Sequence, residues 1–259
     1  MIKKWILVLV FILGQLFGQM TAREIMMKVD NQPEPKSMVA TTDMTLISVK
    51  RGKVKERLRK ITRYQRNYSS GIFDSKSLIR FQHPADVKGT GFLMWEYAGD
   101  KDDDQWLFLP ALGKVKRIAA RDKGENFMGS DFTYEDIGGR DLDDDHFSLL
   151  GEEMLDGNQC YKIEAVPVAG KTVYSRRMSW IDKRKWIAVK VEFYDKKNRL
   201  QKIMTIDELR KDGRYWSVLK MRMENVQTGH KTLMNISDIQ YDTGIRDDYF
   251  TERFLMRVN

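Results

Sequence analysis

The stretch "IAVKVEFYDKKN" (residues 187–198) alternates apolar and polar side chains and then breaks into a turn. Successive side chains of a β-strand point to opposite faces, so this alternation predicts a strand that is buried on one side. The residues predicted to share the buried face are Ile187, Val189, Val191 and Phe193. A second run, "YWSVLKMRM" (215–223), places Tyr215, Leu219, Met221 and Met223 on one face and Lys220 and Arg222 on the other.

Turn signals recur between such runs, at "DGN" (156–158), "DKKN" (195–198), "DG" (212–213) and "TG" (228–229). Residues of these types favour the tight turns of hairpins, so the spacing predicts an antiparallel meander. A long meander curls or closes, because unpaired strand edges are a liability. We therefore predict a mainly β fold with a few helices, a curved and incompletely closed antiparallel β-barrel. Helical or irregular segments are expected at 22–29, 120–147 and 245–255, where they would cover the mouth.

The N-terminus has the layout of a secretory signal peptide. Lys3 and Lys4 precede the apolar run "WILVLVFILG" (5–14), which is too short for a comfortable transmembrane span. We predict a signal peptide over 1–19, followed by one domain over 20–259 in the periplasm. The only cysteine, Cys160, lies in an alternating apolar pattern, which predicts a buried thiol and excludes a lipid-modified N-terminal cysteine.

The formal net charge is +8, or about +6 without the two lysines of the signal peptide (8 − 2). Part of this excess alternates along one predicted strand, which places Lys53, Lys55, Arg57 and Arg59 on one face. This face is either a solvated outer surface or a docking patch for anionic head groups or an acidic partner. No nucleic-acid-binding motif is present, so nucleic acid is not an expected partner.

No catalytic or metal-binding motif stands out. His83, His146 and His230 are dispersed, and neither a nucleophile elbow nor a phosphate-binding loop is present. Four acidic residues match positions 1, 3, 5 and 12 of a calcium loop, namely Asp141, Asp143, Asp145 and Glu152. His146 stands where that loop needs glycine, so a solvated acidic loop is favoured. We predict no enzyme, no cofactor and no metal; a hydrolase assembled from distant residues is the remaining enzymatic alternative.

Three segments carry a resemblance to a known family: "FQHPADVKGTGFL" (81–93), "WLFLPALGKVKRI" (106–118) and "ENFMGSDFTYEDI" (125–137). Together they resemble the outer-membrane lipoprotein-sorting protein family related to LolA, in the branch associated with RND/MMPL-type exporters. The resemblance covers nearly the whole chain after the signal peptide. It implies a LolA/LolB-like barrel whose apolar cavity accepts the acyl chains of a lipoprotein or another lipid.

The aromatic and methionine side chains are the candidate lining of such a cavity, although a plain hydrophobic core explains them as well. They are Phe92, Met94, Trp95, Trp106, Phe108, Leu109, Phe132, Tyr134, Met221 and Met223. We further hypothesise that Arg117 pairs with Asp131 or Asp136 and latches the "DFTYED" segment across the mouth; the alternative is that these charges only fix a structural loop.

The resemblance implies a monomeric periplasmic carrier that ferries lipid toward the outer membrane, with transient membrane contact and an inner-membrane exporter as a partner. The alternative function is an accessory subunit that docks on such an exporter and carries nothing.

Overall fold

The computed structural model describes residues 20–99, 101–168 and 172–257; the predicted signal peptide lies outside them. The helices within these ranges are α1 (Ala22–Asp30), α2 (Tyr134–Gly138) and α3 (Glu252–Leu255). The strands are β1 (Ser37–Lys50), β2 (Lys53–Asn67), β3 (Phe73–His83), β4 (Gly91–Tyr97), β5 (Asp104–Leu109), β6 (Lys114–Arg117), β7 (Asp145–Leu155), β8 (Asn158–Pro167), β9 (Tyr174–Asp182), β10 (Ile187–Asp195), β11 (Leu200–Asp212), β12 (Tyr215–Asn225) and β13 (His230–Tyr241).

All these strands belong to one antiparallel sheet of thirteen, in the order β6-β5-β4-β3-β2-β1-β13-β12-β11-β10-β9-β8-β7. Strands that are consecutive along the chain are neighbours in the sheet, except β6 and β7, and β1 also pairs with β13. The two edge strands, β6 and β7, do not pair, so the sheet is not closed into a barrel. The predicted antiparallel meander is confirmed. Residues 118–144 join the two edges, and we call them the crossing segment.

Hydrogen bonds to the crossing segment require a strongly curved sheet. The side chain of Gln105 on β5 donates to the Tyr134 carbonyl at 3.1 Å, and the hydroxyl of Tyr174 on β9 donates to Asp136 at 3.0 Å. β5 and β9 are second and eleventh in the sheet order, which corresponds to about 43 Å across a flat sheet. Positions 134 and 136 are only two residues apart. The sheet therefore curls, and we call the face that meets the crossing segment the inner face.

Helix α1 covers one part of the inner face, as its sequence predicts. Thr21 accepts from the backbone of Glu24, whose side chain accepts from the Thr21 amide, so the helix begins with a capping box. Ile25 is fully buried and packs with Ile163 of β8 and Ile181 of β9. The cluster removes apolar surface from water and fixes the helix across β7–β10.

The C-terminal segment lies on the outer face rather than over the mouth. Phe250 and Leu255 are fully buried against Leu93, Trp106 and other side chains of β3–β5. Successive residues of β4 alternate, so Leu93 faces this segment while Phe92 faces inward. Both faces of β4 and β5 are thus covered, which explains their continuous apolar sequence.

One predicted strand contains a bulge. The pairing of β10 with β9 shifts between Ala188 and Lys190. As a result Val191 and Phe193 pack inward, whereas Val189 packs with Cys160 and its neighbours in a different cluster. Ala188 also packs inward, so its neighbour Ile187 lies on the other face. The prediction that Ile187 and Val189 share the face of Val191 and Phe193 is wrong. The predicted burial of Cys160 is confirmed.

Candidate functional site

The crossing segment fills the inner side of the sheet with its own apolar side chains. Phe127 is fully buried, with ring centroids 5.9 Å from Phe81, 5.2 Å from Phe92 and 5.7 Å from Tyr134. Phe132, 4% exposed, packs against inward-facing residues of β9–β12. These rings join the two halves of the curved sheet through one short stretch of chain. The stretch occupies the place where a cavity was predicted.

The ten candidate cavity residues divide between the two faces. Those packed in the inner clusters are Phe92, Met94, Leu109, Phe132, Tyr134, Met221 and Met223. Trp95, Trp106 and Phe108 instead pack beneath the C-terminal segment on the outer face. The Trp95 indole donates to the Phe250 carbonyl at 2.9 Å, and its ring stacks edge-on against Trp106. The grouping of these three with the inner lining is therefore corrected.

The first polar anchor of the crossing segment is Asp131. Its amide donates to the Thr232 hydroxyl at 2.9 Å, and that hydroxyl donates back to the Asp131 carboxylate at 2.7 Å. The His230 ring lies 2.6 Å from the same carboxylate. Asp131 and Thr232 are buried. Their mutual bonding satisfies polar groups that would otherwise be costly to bury, and it ties the segment to β13.

The second anchor is Asp136, at the start of α2. It closes a capping box with Thr133 and accepts from the Tyr174 hydroxyl at 3.0 Å. Lys202 reaches the Tyr174 oxygen at 3.0 Å and Asp136 at 3.5 Å, and its side chain is 2% exposed. Burial, together with the Asp136 charge, raises the pKa of Tyr174, which keeps the phenol protonated as a donor. The three side chains connect α2 to β9 and β11.

The third anchor is a buried cluster of four charges. Glu135 lies 3.7 Å from Arg140 and 3.9 Å from Arg177, and it also accepts from Thr172. Asp145 at the start of β7 pairs with the same two arginines at 3.1 and 2.7 Å. The cluster holds the C-terminal part of the crossing segment against the β8–β9 loop, β9 and the start of β7.

The predicted latch has a different partner. Arg117, on β6, donates to Asp104 of β5, with Nε at 3.0 Å from the carboxylate, and does not pair with Asp131 or Asp136. Burial by itself would raise the pKa of Asp104, but hydrogen bonds from Arg117 and Tyr97 outweigh it and lower the pKa. Sheet register decides the pairing, because Trp106, two residues after Asp104, lies opposite Arg117.

The anchoring residues outside the crossing segment were missed from the sequence. Lys202 could have been found, because it has the same strand parity as the inward-facing Met204. A charged residue at an inward-facing position needs a buried partner, and that signal was available. Tyr174, Thr232 and Arg177 carry no comparable local signal.

The acidic stretch after α2 forms ion pairs instead of a calcium loop. Asp143 pairs with Arg23 and Glu152 with Lys183, while Asp145 is held by its arginines. Across the residues that the structure describes, no group of three or more His, Cys, Asp or Glu side chains is arranged to hold a metal.

Two carboxylates, Asp103 and Asp141, have raised pKa values. Burial raises the pKa of Asp103 to about 6, and burial with the charges of Asp144 and Asp103 raises that of Asp141 to about 6. At these two carboxylates the native state therefore binds more protons than the unfolded chain between about pH 3.8 and 6, so their contribution to stability rises as the pH falls through that window.

We expect Asp103→Asn to raise the free energy of unfolding at pH 7.5 and to change it little at pH 4.5. The amide can still accept from the Tyr97 backbone, a bond of 3.2 Å, without the desolvated charge. Urea denaturation at both pH values measures the effect, with Asp156→Asn at an exposed hairpin turn as the control. Equal stabilisation at both pH values would contradict it.

In the described part of the chain no helix is long and apolar enough to cross a membrane.

Comparison with known proteins identifies the fold. The curved open sheet with its crossing segment is the LolA-like fold: a LolA superfamily protein from Nitrosomonas europaea superposes with a TM-score of 0.70 at 19% identity, covering 91% of this chain and 100% of the other. A DUF1329 family protein from Desulfovibrio piger is 33% identical, with 90% and 97% covered and a TM-score of 0.83. A putative outer-membrane lipoprotein-sorting protein domain from Vibrio parahaemolyticus is 32% identical, with 91% and 98% covered and a TM-score of 0.85.

A family model described as "Uncharacterized protein" matches residues 73–257. The chain belongs to the DUF1329 family, and the resemblance to lipoprotein-sorting proteins is confirmed. A comparison with curated proteins found no match. The exporter-associated branch stays a prediction.

Proposed function

We propose that the protein is a periplasmic carrier that shelters the acyl chains of a lipoprotein or another lipid on the inner face of its sheet. The crossing segment is the cover. The observation that carries this proposal is the construction of that segment, whose apolar rings occupy the interior while its polar groups hold it in place. The lipoprotein-sorting relative and the LolA-like fold support the same function.

The physical requirement on such a carrier is an apolar surface that is closed when empty. An acyl chain in water costs about 0.8 kcal/mol per methylene, so it needs shelter while it crosses an aqueous compartment. An unliganded apolar groove would be an aggregation liability. Rings such as Phe127 and Phe132 cover the groove until cargo replaces them, and no covalent chemistry is needed.

The predicted signal peptide and the lipoprotein-sorting relative support a periplasmic location. The acyl chain is the shared chemistry of the candidate cargoes. An RND/MMPL-type exporter would be the donor or acceptor of that cargo, with the protein acting as a monomer.

The second candidate function is a docking subunit of an exporter that carries nothing. The filled interior favours it, because a protein that only docks would have no need of an opening segment.

A matched pair of variants distinguishes the two. We expect Phe132→Ala to increase the amount of lipid that co-purifies, because a weaker cover raises the population of the open state. Phe250→Ala removes the same kind of ring from the C-terminal segment on the outer face and should leave lipid occupancy unchanged. Each substitution costs about 3–5 kcal/mol of stability, so destabilisation alone does not separate them. Native mass spectrometry of protein from the periplasm of its host measures occupancy; no bound lipid in wild type and both variants would support the docking subunit.

A further inference from the structure

The hairpin between β1 and β2 extends beyond the rest of the sheet. The last pair of β1 with β13 is Ile47 with Lys231, and β2 first pairs with β3 at Lys60. Residues 48–59 therefore project with β1 and β2 paired only to each other near the tip, and we call them the basic arm. Arg51 and Gly52 turn the chain with φ of 51° and 74°. A projecting hairpin of this kind contributes nothing to the core.

One face of the basic arm carries cations. The register places Lys53, Lys55, Arg57 and Arg59 on the same side as Met44 and Leu46, so the predicted sharing of one face is confirmed, and that side is the inner one. The arm holds six basic residues, Lys50, Arg51, Lys53, Lys55, Arg57 and Arg59, against one acid, Glu56.

In the part of the chain that the structure describes, these cations have no ion-pair partner, in contrast to Lys220 and Lys231. Lys220 pairs with Glu208 at 2.6 Å and Lys231 with Glu224 at 3.0 Å, each across neighbouring strands. Within the described ranges, no carboxylate lies within 4.0 Å of any basic group of the arm. Mutual repulsion opposes such a concentration of charge, so an external anionic surface is the natural complement.

The opposite face of the arm carries Glu56 together with exposed apolar side chains. Val49 and Val54 face each other across the hairpin and are 53% and 63% exposed, and Leu58 is 49% exposed. An acidic protein partner would satisfy the cations but would not account for apolar side chains at the tip. A bilayer surface accommodates both, because phosphates meet the lysines while the valines enter the headgroup boundary.

We propose that the basic arm docks the protein on the surface of an anionic bilayer. The inference goes beyond the proposed function, since docking would hold even for a protein that carries no lipid. Its position bears on delivery: Arg59, at the base of the arm, donates to the Met128 carbonyl in the crossing segment. Docking therefore places the bilayer beside the upstream part of the cover.

Co-sedimentation of the mature protein with vesicles tests the docking. We expect binding to vesicles of 30% phosphatidylglycerol in phosphatidylcholine, and binding to pure phosphatidylcholine that is weaker by on the order of a hundredfold. Lys53→Glu/Lys55→Glu/Arg57→Glu should reduce binding to the anionic vesicles by at least about a hundredfold. Val49→Ser/Val54→Ser should reduce it by about tenfold. The matched charge control is Lys114→Glu/Lys197→Glu/Lys211→Glu, which makes the same change in net charge at exposed sites elsewhere.

The docking is overturned if the arm triple variant binds as wild type does, or if the control loses binding equally. Equal binding to both vesicle types would overturn it as well. Tight binding to poly-glutamate with no vesicle binding would assign the arm to an acidic protein. The lipid occupancy of the arm variants, measured by native mass spectrometry, separates this result from the proposed function, because a carrier with a defective arm still co-purifies with lipid.

Discussion

Oxidised Gly124→Cys/Val173→Cys protein, in a Cys160→Ala background, is expected to take up no acyl ligand, and reduction is expected to restore uptake. A Cβ placed on Gly124 in the crossing segment would lie 3.3 Å from the Cβ of Val173 in the β8–β9 loop. Disulfides join Cβ atoms about 3.5–4.5 Å apart, so a small adjustment suffices. The bond would lock the cover onto the sheet. A fluorescent long-chain fatty acid measures uptake, which should fall by at least about tenfold on oxidation.

The controls separate locking from damage. Gly124→Cys alone would bring its new side chain against a γ-carbon of Val173, so this variant reports local crowding without a covalent link. The reduced double variant reports the effect of both substitutions together. Undiminished uptake by the fully oxidised protein would mean that the crossing segment is not the cover.

The sheet could be predicted because its determinants are local. Alternation and turn residues define strands and hairpins within about ten residues of each other. A bulge is different: the shift between Ala188 and Lys190 has no sequence mark, and it moves Val189 to another face. The C-terminal segment could not be assigned to a face, because β4 and β5 are apolar on both sides and offer two equally hydrophobic surfaces.

The sequence predicts which stretch of chain forms the cover, but not the residues that hold it in place. The "DFTYED" stretch was singled out as a cover, and the structure places Phe132 and Tyr134 in the interior. The charged partners were not predictable, because Asp136 meets Lys202 across 66 residues of sequence. Arg117 is close to Asp131 along the chain, yet strand pairing places it beside Asp104. Long-range pairing decides which charges meet.

The anchors and the rings have opposite roles in a cover that must open. Rings can exchange one apolar contact for another when an acyl chain enters, at little net cost. A buried charge that leaves its partner needs water or a new partner, so breaking the anchors determines the free-energy cost of opening the crossing segment. The Lys202–Asp136–Tyr174 anchor contains a lysine whose side chain is only 2% exposed, so its disruption should destabilise the protein most.

Lys202→Met is expected to lower the free energy of unfolding by about 3–5 kcal/mol, because it leaves the buried Asp136 without its cation. Lys202→Met/Asp136→Asn should recover at least half of that loss. The introduced amide oxygen at position 136 can still accept from the Tyr174 hydroxyl, and the neutral side chain leaves no buried charge without a partner. Urea denaturation at pH 7.5 of both single variants and the double variant completes a double-mutant cycle.

Lys220→Met is the control: that lysine is exposed and paired with Glu208, and its loss should leave stability nearly unchanged. A cost for Lys202→Met as small as that of the control, or a double variant no more stable than Lys202→Met, would show that the anchor does not hold the crossing segment.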